Sequence, residues 1–154
     1  MIRPARLSDG AQAISVLRQS ITELCVDDHR GDPDILENWL SNKTVSTFEA
    51  WLTNDAIRVR VAELDGEIIG VASANTSGEV LLNYVSPRAR FSGVSSALLA
   101  RLETELFDTG LSQLSLWSTQ TAHRFYRSKG WVDEGDAVTE DGTVSYPMRK
   151  PAPE

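Results

Sequence analysis

The stretch LLNYVSPRARFSGVSSALLARLETEL, residues 81–106, decides how the rest of the chain is interpreted. Residues 80–85 are almost entirely apolar, which predicts a central strand covered on both faces. From Val94 onwards apolar residues recur at helical spacing. The loop between them ends in the small residues Ser92 and Gly93, so backbone N–H groups and the positive end of the helix dipole meet at the start of the helix. This arrangement predicts a site for an anion such as a pyrophosphate.

The loop between this strand and this helix has neither of two common phosphate-binding signatures. It lacks the Gly-Lys-Ser/Thr end of a Walker loop and the GxGxxG spacing of a dinucleotide turn. Serine-rich helix starts are common, so a well-capped turn without a ligand is the alternative interpretation. The loop by itself leaves both interpretations open.

On either side of this stretch, hydrophobic periodicity predicts further elements. The first third has a short edge strand at 2–6 and three helices, the first capped by Ser8 and the third by Ser46. Residues 57–74 alternate around Asp65-Gly66, which indicates a β-hairpin. A strand at 114–117, a helix around 122–126 and a closing hairpin follow the central helix. The order βαααβββαβαββ predicts an α+β fold with a mixed sheet.

The composition fits an ordinary folded domain. The chain has 154 residues and a formal charge of −7, with 41% apolar and 24% charged residues. That length favours one core over two. We therefore expect a single domain over residues 1–150. We expect the chain to loosen after Met148 and to end in a loose tail at 151–154, because prolines there resist regular structure.

The same composition disfavours several function classes. With a pI of about 4.8 the chain lacks the positive charge that duplex-binding proteins use. No apolar run is long enough for a membrane span, and the N-terminus lacks the apolar segment of a signal peptide. The expected location is therefore cytoplasmic. Cys25 is the only cysteine, which excludes an internal disulfide and a cysteine-based zinc cluster.

Two motifs resemble those of the GNAT acetyltransferase superfamily. RFSGVS at 90–95 is similar to the family's acyl-CoA-binding motif, Arg/Gln-x-x-Gly-x-Gly/Ala, and follows a strand as it does there. AHRFYRSKGW at 122–131 resembles the family's A-x-x-F-Y-x-x-x-G-F helix and following strand. Both motifs occur in the expected order, and the likeness covers most of the chain. It implies a mostly antiparallel sheet flanked by helices and an enzyme that uses acetyl-CoA.

Two positions depart from the family pattern. Ser95 stands where Gly or Ala is usual, which adds a hydroxyl near the phosphates. Thr119 stands where many members have Asn, a residue that contacts the pantetheine arm. The N-terminal third, at 23–29 and 39–44, also resembles a small bacterial subgroup of this superfamily.

The resemblance implies that an amine attacks the thioester of acetyl-CoA directly. A backbone N–H near Tyr84 and Val85 would stabilise the oxyanion, and the pantetheine would pair with the same strand. Tyr126 is the candidate acid for the leaving thiolate, and a core aromatic is the alternative role. The residues that the resemblance assigns to acetyl-CoA are Tyr84, Val85, Arg90, Phe91, Ser92, Gly93, Val94, Ser95, Ser96, Thr119 and Phe125.

Candidates for the base that takes the ammonium proton lie in two places. Glu79 and Asn83 are on or beside the central strand, where they could hold a relay water. Cys25, Asp28 and His29 have i, i+3, i+4 spacing, so one helical face could present them to an acceptor. His29 could accept a proton near neutral pH, and Asp28 could hold a cationic acceptor. In the alternative interpretation Asp28 and His29 only close the first helix. No second cluster supports metal binding by these three residues.

We therefore predict an N-acetyltransferase that moves an acetyl group from acetyl-CoA to a small-molecule amine. The alternatives are a protein N-acetyltransferase acting on a Lys or an N-terminus, and a non-catalytic acyl-CoA sensor. The hairpin at Asp65-Gly66 disfavours a Rossmann-type domain. Edge strands need cover, which favours a homodimer. Neither nucleic acid nor a membrane is an expected partner.

Overall fold

An eight-stranded sheet runs through the computed structural model, which describes residues 1–154. Helices lie on both of its faces. The helices are α1 Gly10–Leu24, α2 Val26–His29, α3 Pro33–Leu40, α4 Val45–Leu52, α5 Val94–Phe107 and α6 His123–Ser128. The strands are β1 Ile2–Pro4, β2 Ile57–Leu64, β3 Glu67–Asn75, β4 Glu79–Val85, β5 Gln113–Ser118, β6 Val132–Asp133, β7 Val138–Glu140 and β8 Thr143–Pro151. None of the helices is both long and apolar enough to cross a membrane.

The strands follow the order β1-β2-β3-β4-β5-β8-β6, and β7 pairs with the first residues of β8. Only β4 and β5 are parallel neighbours, and α5 supplies the crossover between them. All the other neighbouring strands are antiparallel. The prediction of a mixed, mostly antiparallel sheet flanked by helices is confirmed.

Apolar side chains fill both faces of the sheet. Leu17 of α1 and Phe48 of α4 pack against Val71 on one face, and Leu98 and Leu102 of α5 belong to the cluster on the other. On the α5 face, a Cβ at Gly70 would lie 2.8 Å from side-chain atoms of Val94 and Leu98. The missing side chain therefore lets the first turns of α5 lie directly on β3, which sets where this helix begins.

Two of the predicted helix caps are wrong. Ser8 lies inside a 3₁₀ turn at Leu7–Asp9 that leads into α1, and it is the Asp9 carboxylate that accepts a hydrogen bond from the Arg6 N–H, at 2.7 Å. Ser46 lies within α4, whose N-cap is Thr44 with its hydroxyl accepting from the Thr47 N–H at 3.2 Å. At α4 a neighbouring residue with the same capping chemistry takes the position, whereas Asp9, the N-cap of α1, makes no side-chain hydrogen bond to that helix.

The chain end is more ordered than its prolines suggest. β8 continues to Pro151, which lies opposite Gln113 of β5, and the Ala152 N–H donates to the Ser112 carbonyl at 2.9 Å. Proline is tolerated there because it occupies the last position of the strand. The prediction that the chain loosens after Met148 is therefore wrong for residues 149–152.

Three further features of the structure differ from the predictions. The expected break after the first helix contains the single turn α2, and the closing hairpin contains two short strands, β6 and β7, that both pair with β8. The central strand β4 is less covered than predicted, with Leu81 41% exposed. This exposure reflects the gap beside β4 on which the site depends.

Candidate functional site

The parallel strands β4 and β5 separate soon after they meet. They pair only at Glu79 with Ser115 and at Val80 with Leu116, although β4 continues to Val85. Beyond Val80 the edge of β4 that faces β5 therefore has no strand partner. A cavity of about 420 Å³ lies in this gap. The sequence-predicted residues that line it are Cys25, Asn83, Tyr84, Val85, Arg90, Phe91, Gly93, Val94, Ser95, Ser96, Thr119, Phe125 and Tyr126.

The start of α5 presents free backbone donors to the cavity. Gly93 is the N-cap with φ of 84°, a conformation that glycine adopts without a Cβ clash. The N–H groups of residues 93–96 make no hydrogen bond within the protein, and the first paired one is that of Ala97, which donates to the Gly93 carbonyl at 3.0 Å. Four free amides at the positive end of a helix suit a phosphate or diphosphate.

The loop before α5 carries an exposed aromatic side chain and a cation. Phe91 is 91% exposed and has φ of 64°, and the Arg90 guanidinium lies 4.6 Å from its ring centroid. Ser92 is the one predicted loop residue that does not line the cavity. Its hydroxyl donates to the Ala89 carbonyl instead, which closes the loop.

The Tyr126 side chain on α6 lies beside the Asn83 side chain on β4, and both line the cavity. Burial raises the pKa of the Tyr126 phenol, although the nearby Asn83 opposes this shift. The Asn83 amide nitrogen donates to the Ser95 carbonyl at 3.3 Å, while its Oδ1 is buried without a hydrogen-bond partner. Tyr126 therefore enters the site as a protonated phenol that can donate, beside an amide oxygen that is free to accept.

On the α1 side the cavity ends at Cys25 and Tyr84. Burial raises the pKa of the Cys25 thiol to about 12, with a further contribution from the charge of Asp28. Burial also raises the pKa of the Tyr84 phenol, and Trp39 lies beside this hydroxyl. Neither group is ionised at neutral pH, so this end of the cavity is formed by uncharged side chains.

Asp28 is close to the cavity without lining it. It is 1% exposed, and its carboxylate accepts hydrogen bonds from the Gln120 N–H at 2.7 Å, the Thr121 N–H at 3.2 Å and the Thr121 hydroxyl. The prediction that Asp28 holds a cationic acceptor is therefore corrected: the carboxylate braces the loop between β5 and α6. Because its partners lie more than ninety positions away in the chain, spacing alone could not reveal this.

His29 is also corrected as a base. Its Nδ1 accepts from the Gly31 N–H at 3.0 Å, so Nε2 carries the proton and faces the carbonyls of Ile21 and Thr22 at 3.1 and 3.0 Å. No ring nitrogen is left to take a proton from an amine. The predicted helical face is interrupted as well, since α1 ends at Leu24 and α2 starts at Val26.

Glu79 lies at the closed end of the gap, where β4 still pairs with β5. Its carboxylate accepts from the Asn75 amide at 3.3 Å, and it does not line the cavity. Among Glu79, Asn83 and His29, the structure therefore brings only Asn83 to the site. Thr119 lines the cavity, and its hydroxyl accepts from the Ala122 N–H at 3.1 Å, which closes the turn before α6.

Several lining residues carry no chemical motif and were missed by sequence reasoning. They include Ser20 and Leu24 of α1, Trp117 of β5 and Thr121. Trp117 is 54% exposed and lies where β5 diverges from β4. No group of three or more His, Cys, Asp or Glu side chains is arranged to hold a metal ion.

Comparisons with known proteins identify the family and support the fold. The family model described as an acetyltransferase (GNAT) domain matches residues 19–152. A GCN5-related N-acetyltransferase from Rhodopseudomonas palustris has 24% identity and a TM-score of 0.87, over 99% of this chain and 95% of that one. PaiA N-acetyltransferase from Thermoplasma acidophilum, solved in complex with coenzyme A, has 19% identity and a TM-score of 0.81, over 99% and 98%. A ribosomal-protein-alanine N-acetyltransferase from Brucella melitensis has 20% identity and a TM-score of 0.76, over 99% of each chain. No curated protein matches the sequence significantly.

Proposed function

The chain belongs to the GNAT acetyltransferase family, and on that premise we propose that it transfers an acetyl group from acetyl-CoA to a small-molecule amine, with Tyr126 as the general acid. The observation that carries the proposal is one cavity that joins the free amides of residues 93–96 to the Tyr126 side chain. It thus combines an anion site with a proton donor.

Acetyl-CoA fits the chemistry of this cavity in two respects. The free amides at the start of α5, with Arg90 beside them, supply donors and positive charge for a diphosphate. The unpaired edge of β4 at 83–85 supplies N–H and carbonyl groups of the kind that an amide-containing pantetheine arm can pair with. The free amides and the unpaired strand edge are both backbone groups. They therefore do not depend on whether residue 95 is Ser, as here, or the Gly or Ala that is usual in the family.

The protein's own groups then have separate roles in the transfer. The amine attacks the thioester carbonyl, and a main-chain N–H near Tyr84 or Val85 stabilises the negative charge that develops on its oxygen. The Tyr126 hydroxyl donates its proton to the departing thiolate, and the proton that the attacking nitrogen loses as the amide forms restores the Tyr126 hydroxyl. Asn83 orients this hydroxyl or a water beside it, through the Oδ1 atom that has no partner in the protein.

Calorimetry with acetyl-CoA and a thiol-release assay over a panel of amines test the proposal. Binding with turnover is the expected result. Binding without turnover of any amine would indicate the acyl-CoA sensor, and acetylation of peptides in place of small amines would indicate a protein N-acetyltransferase.

A charge placed at the start of α5 tests the anion site directly. We expect Gly93→Glu to abolish acetyl-CoA binding, because it puts a carboxylate against four free amides. Gly110→Glu is the matched control, since Gly110 also has a positive φ and open space around it, but lies just beyond the other end of α5. Normal affinity of Gly93→Glu for acetyl-CoA would show that the diphosphate binds elsewhere.

A further inference from the structure

We infer that the acceptor is a small monoamine carried on an uncharged, apolar body, and not a polyamine or an amino acid. This inference rests on the proposed function. It follows from the walls of the cavity on the α1 side, the side opposite α5. There Leu24 and Cys25 approach Tyr84 of β4, and Trp39 lies beside the Tyr84 hydroxyl.

These walls are apolar or neutral. Leu24 and the aromatic rings offer contact area but no charge, and the thiol and phenol remain protonated as described above. Transfer of a charged group from water to such surroundings is strongly unfavourable unless a counter-charge meets it. An acceptor with an apolar body avoids this penalty and gains from burial of its own surface.

The charged side chains near this end of the cavity favour an acceptor with a single amino group. Arg90 is the only charged side chain that lines the cavity, and it belongs to the loop of the proposed diphosphate site. The charge of Asp28 reaches Cys25 and Tyr84, where it favours a single amino group. Its oxygens are already used by Gln120 and Thr121, so it forms no direct ion pair. A second ammonium would meet apolar walls and the Arg90 cation.

Size points the same way. The cavity of about 420 Å³ also has to hold the end of the donor, so only part of it is available to the acceptor. The remaining space favours a small acceptor over an extended or multi-ring one.

Three amines that differ in charge test the inference, at saturating acetyl-CoA and at one pH. 2-Phenylethylamine has the predicted form, L-phenylalanine adds a carboxylate to the same skeleton, and spermidine adds further ammonium groups. We expect kcat/KM for 2-phenylethylamine to exceed that of the other two by about tenfold or more. An added ammonium group has no counter-charge in the cavity, and Arg90, the one cation that could pair with an added carboxylate, belongs to the proposed diphosphate site. An equal or higher kcat/KM for spermidine or L-phenylalanine would overturn the inference while leaving the proposed acetyl transfer intact.

A charge introduced into the wall makes the converse test. Leu24→Glu should narrow the preference for 2-phenylethylamine over spermidine by about tenfold, because the new carboxylate can pair with an ammonium group. Leu24→Gln introduces a side chain of nearly the same shape as Glu but without the charge. It should therefore keep the preference for 2-phenylethylamine over spermidine. Circular dichroism of both variants checks folding, and the comparison of amines on the unaltered protein does not depend on them. Failure to bind acetyl-CoA at all, or binding without turnover of any amine, would overturn the proposed function as well.

Discussion

Cys25, Tyr84 and Tyr126 all line the cavity, and all stay protonated at neutral pH because burial raises the pKa of each. They can donate hydrogen bonds but cannot take a proton from an ammonium ion. His29 and Glu79, two of the three side chains predicted to act as a base or to hold a relay water, have other partners. At the scale of single residues, these groups suit the proposed reaction, in which Tyr126 supplies a proton to the leaving group and the acceptor arrives as a neutral amine.

The pH dependence of the reaction follows from these groups. We expect kcat/KM to rise about tenfold per unit between about pH 6 and 9 for an alkylamine whose own pKa is near ~10.4, because the neutral fraction of the amine rises in that proportion. The raised pKa of Tyr126 keeps its proton in place over this range. Initial rates at subsaturating amine give the profile. A plateau beginning near neutral pH would instead reveal a base in the protein.

The role of Tyr126 is tested by removing its hydroxyl alone. We expect Tyr126→Phe to lower kcat about 10²–10⁴-fold, the usual contribution of a general acid, and to leave the Kd of acetyl-CoA nearly unchanged. Tyr146→Phe is the control, because Tyr146 stacks on His123 at 3.9 Å and does not line the cavity. Unchanged kcat in Tyr126→Phe would remove Tyr126 from the reaction.

The sequence was informative about residues whose role depends on near neighbours. Gly93 and Tyr126 belong to motifs with fixed spacing, and both line the cavity. Asp28 and His29 could not be assigned in this way, because their partners are backbone groups that only the folded chain brings to them. Residue type indicated that these two side chains are chemically capable, but not that their hydrogen-bonding capacity is already used.

At the scale of elements, the position of α6 depends on contacts from the first third of the chain. Asp28, at the third position of α2, accepts three hydrogen bonds from the loop that leads from β5 into α6. Within the same loop, the Thr119 hydroxyl accepts from the Ala122 N–H just before α6. The loop that leads into the helix carrying Tyr126 is thus held by the Asp28 carboxylate and by a hydroxyl of its own.

Removal of the carboxylate should loosen this arrangement. We expect Asp28→Ala to lower kcat by about tenfold or more and to destabilise the fold by roughly 1.5–3 kcal/mol or more, since buried hydrogen bonds to a charged group are lost. Asp28→Asn, which keeps one acceptor oxygen, should recover part of kcat. Asp27→Ala is the control, since that neighbouring side chain is exposed. Equal losses of stability in both Asp28 variants with unchanged kcat would mean that the brace does not position Tyr126.

The elements themselves were largely predictable, but their relations were not. Periodicity identified the long helices and the Asp65-Gly66 hairpin because each depends on local pattern. The separation of β4 from β5 has no local signal, since it is a relation between two strands that are far apart in the chain. The order of residues 149–152 likewise depends on pairing with β5, which lies earlier in the chain.

At the scale of the whole molecule, a buried ion pair fastens the N-terminal edge strand. Arg3 donates two hydrogen bonds to the Asp9 carboxylate, at 2.8 and 2.9 Å, and both side chains are nearly buried. Arg3 also reaches Glu63 of β2 at 3.2 Å. The pair therefore ties β1 and the start of α1 to the rest of the sheet.

This pair should govern part of the stability in acid. The hydrogen bonds from Arg3 hold the pKa of Asp9 below its ordinary value of 3.8, so its contribution is complete above about that pH and is lost as the pH falls through the folded-state pKa. We expect Asp9→Asn to lower the free energy of unfolding by about 3–5 kcal/mol at neutral pH, because Arg3 is left buried without its main counter-charge. The difference from the unaltered protein should shrink below about pH 4.

Urea unfolding followed by circular dichroism at several pH values measures the effect. Glu140→Gln removes an exposed carboxylate that forms no ion pair, and should change little at any pH. A loss of stability in Asp9→Asn that is the same at acidic and neutral pH would assign the effect to packing and not to charge.

The gap between β4 and β5 also bears on how a catalytic cycle ends. If the pantetheine arm of acetyl-CoA pairs with the free edge of β4, the protein holds a part of the donor that the reaction does not change. Coenzyme A then keeps all of those contacts after the acetyl group has left. Departure of the by-product, and its competition with fresh donor, would set the pace of turnover once an acceptor is plentiful.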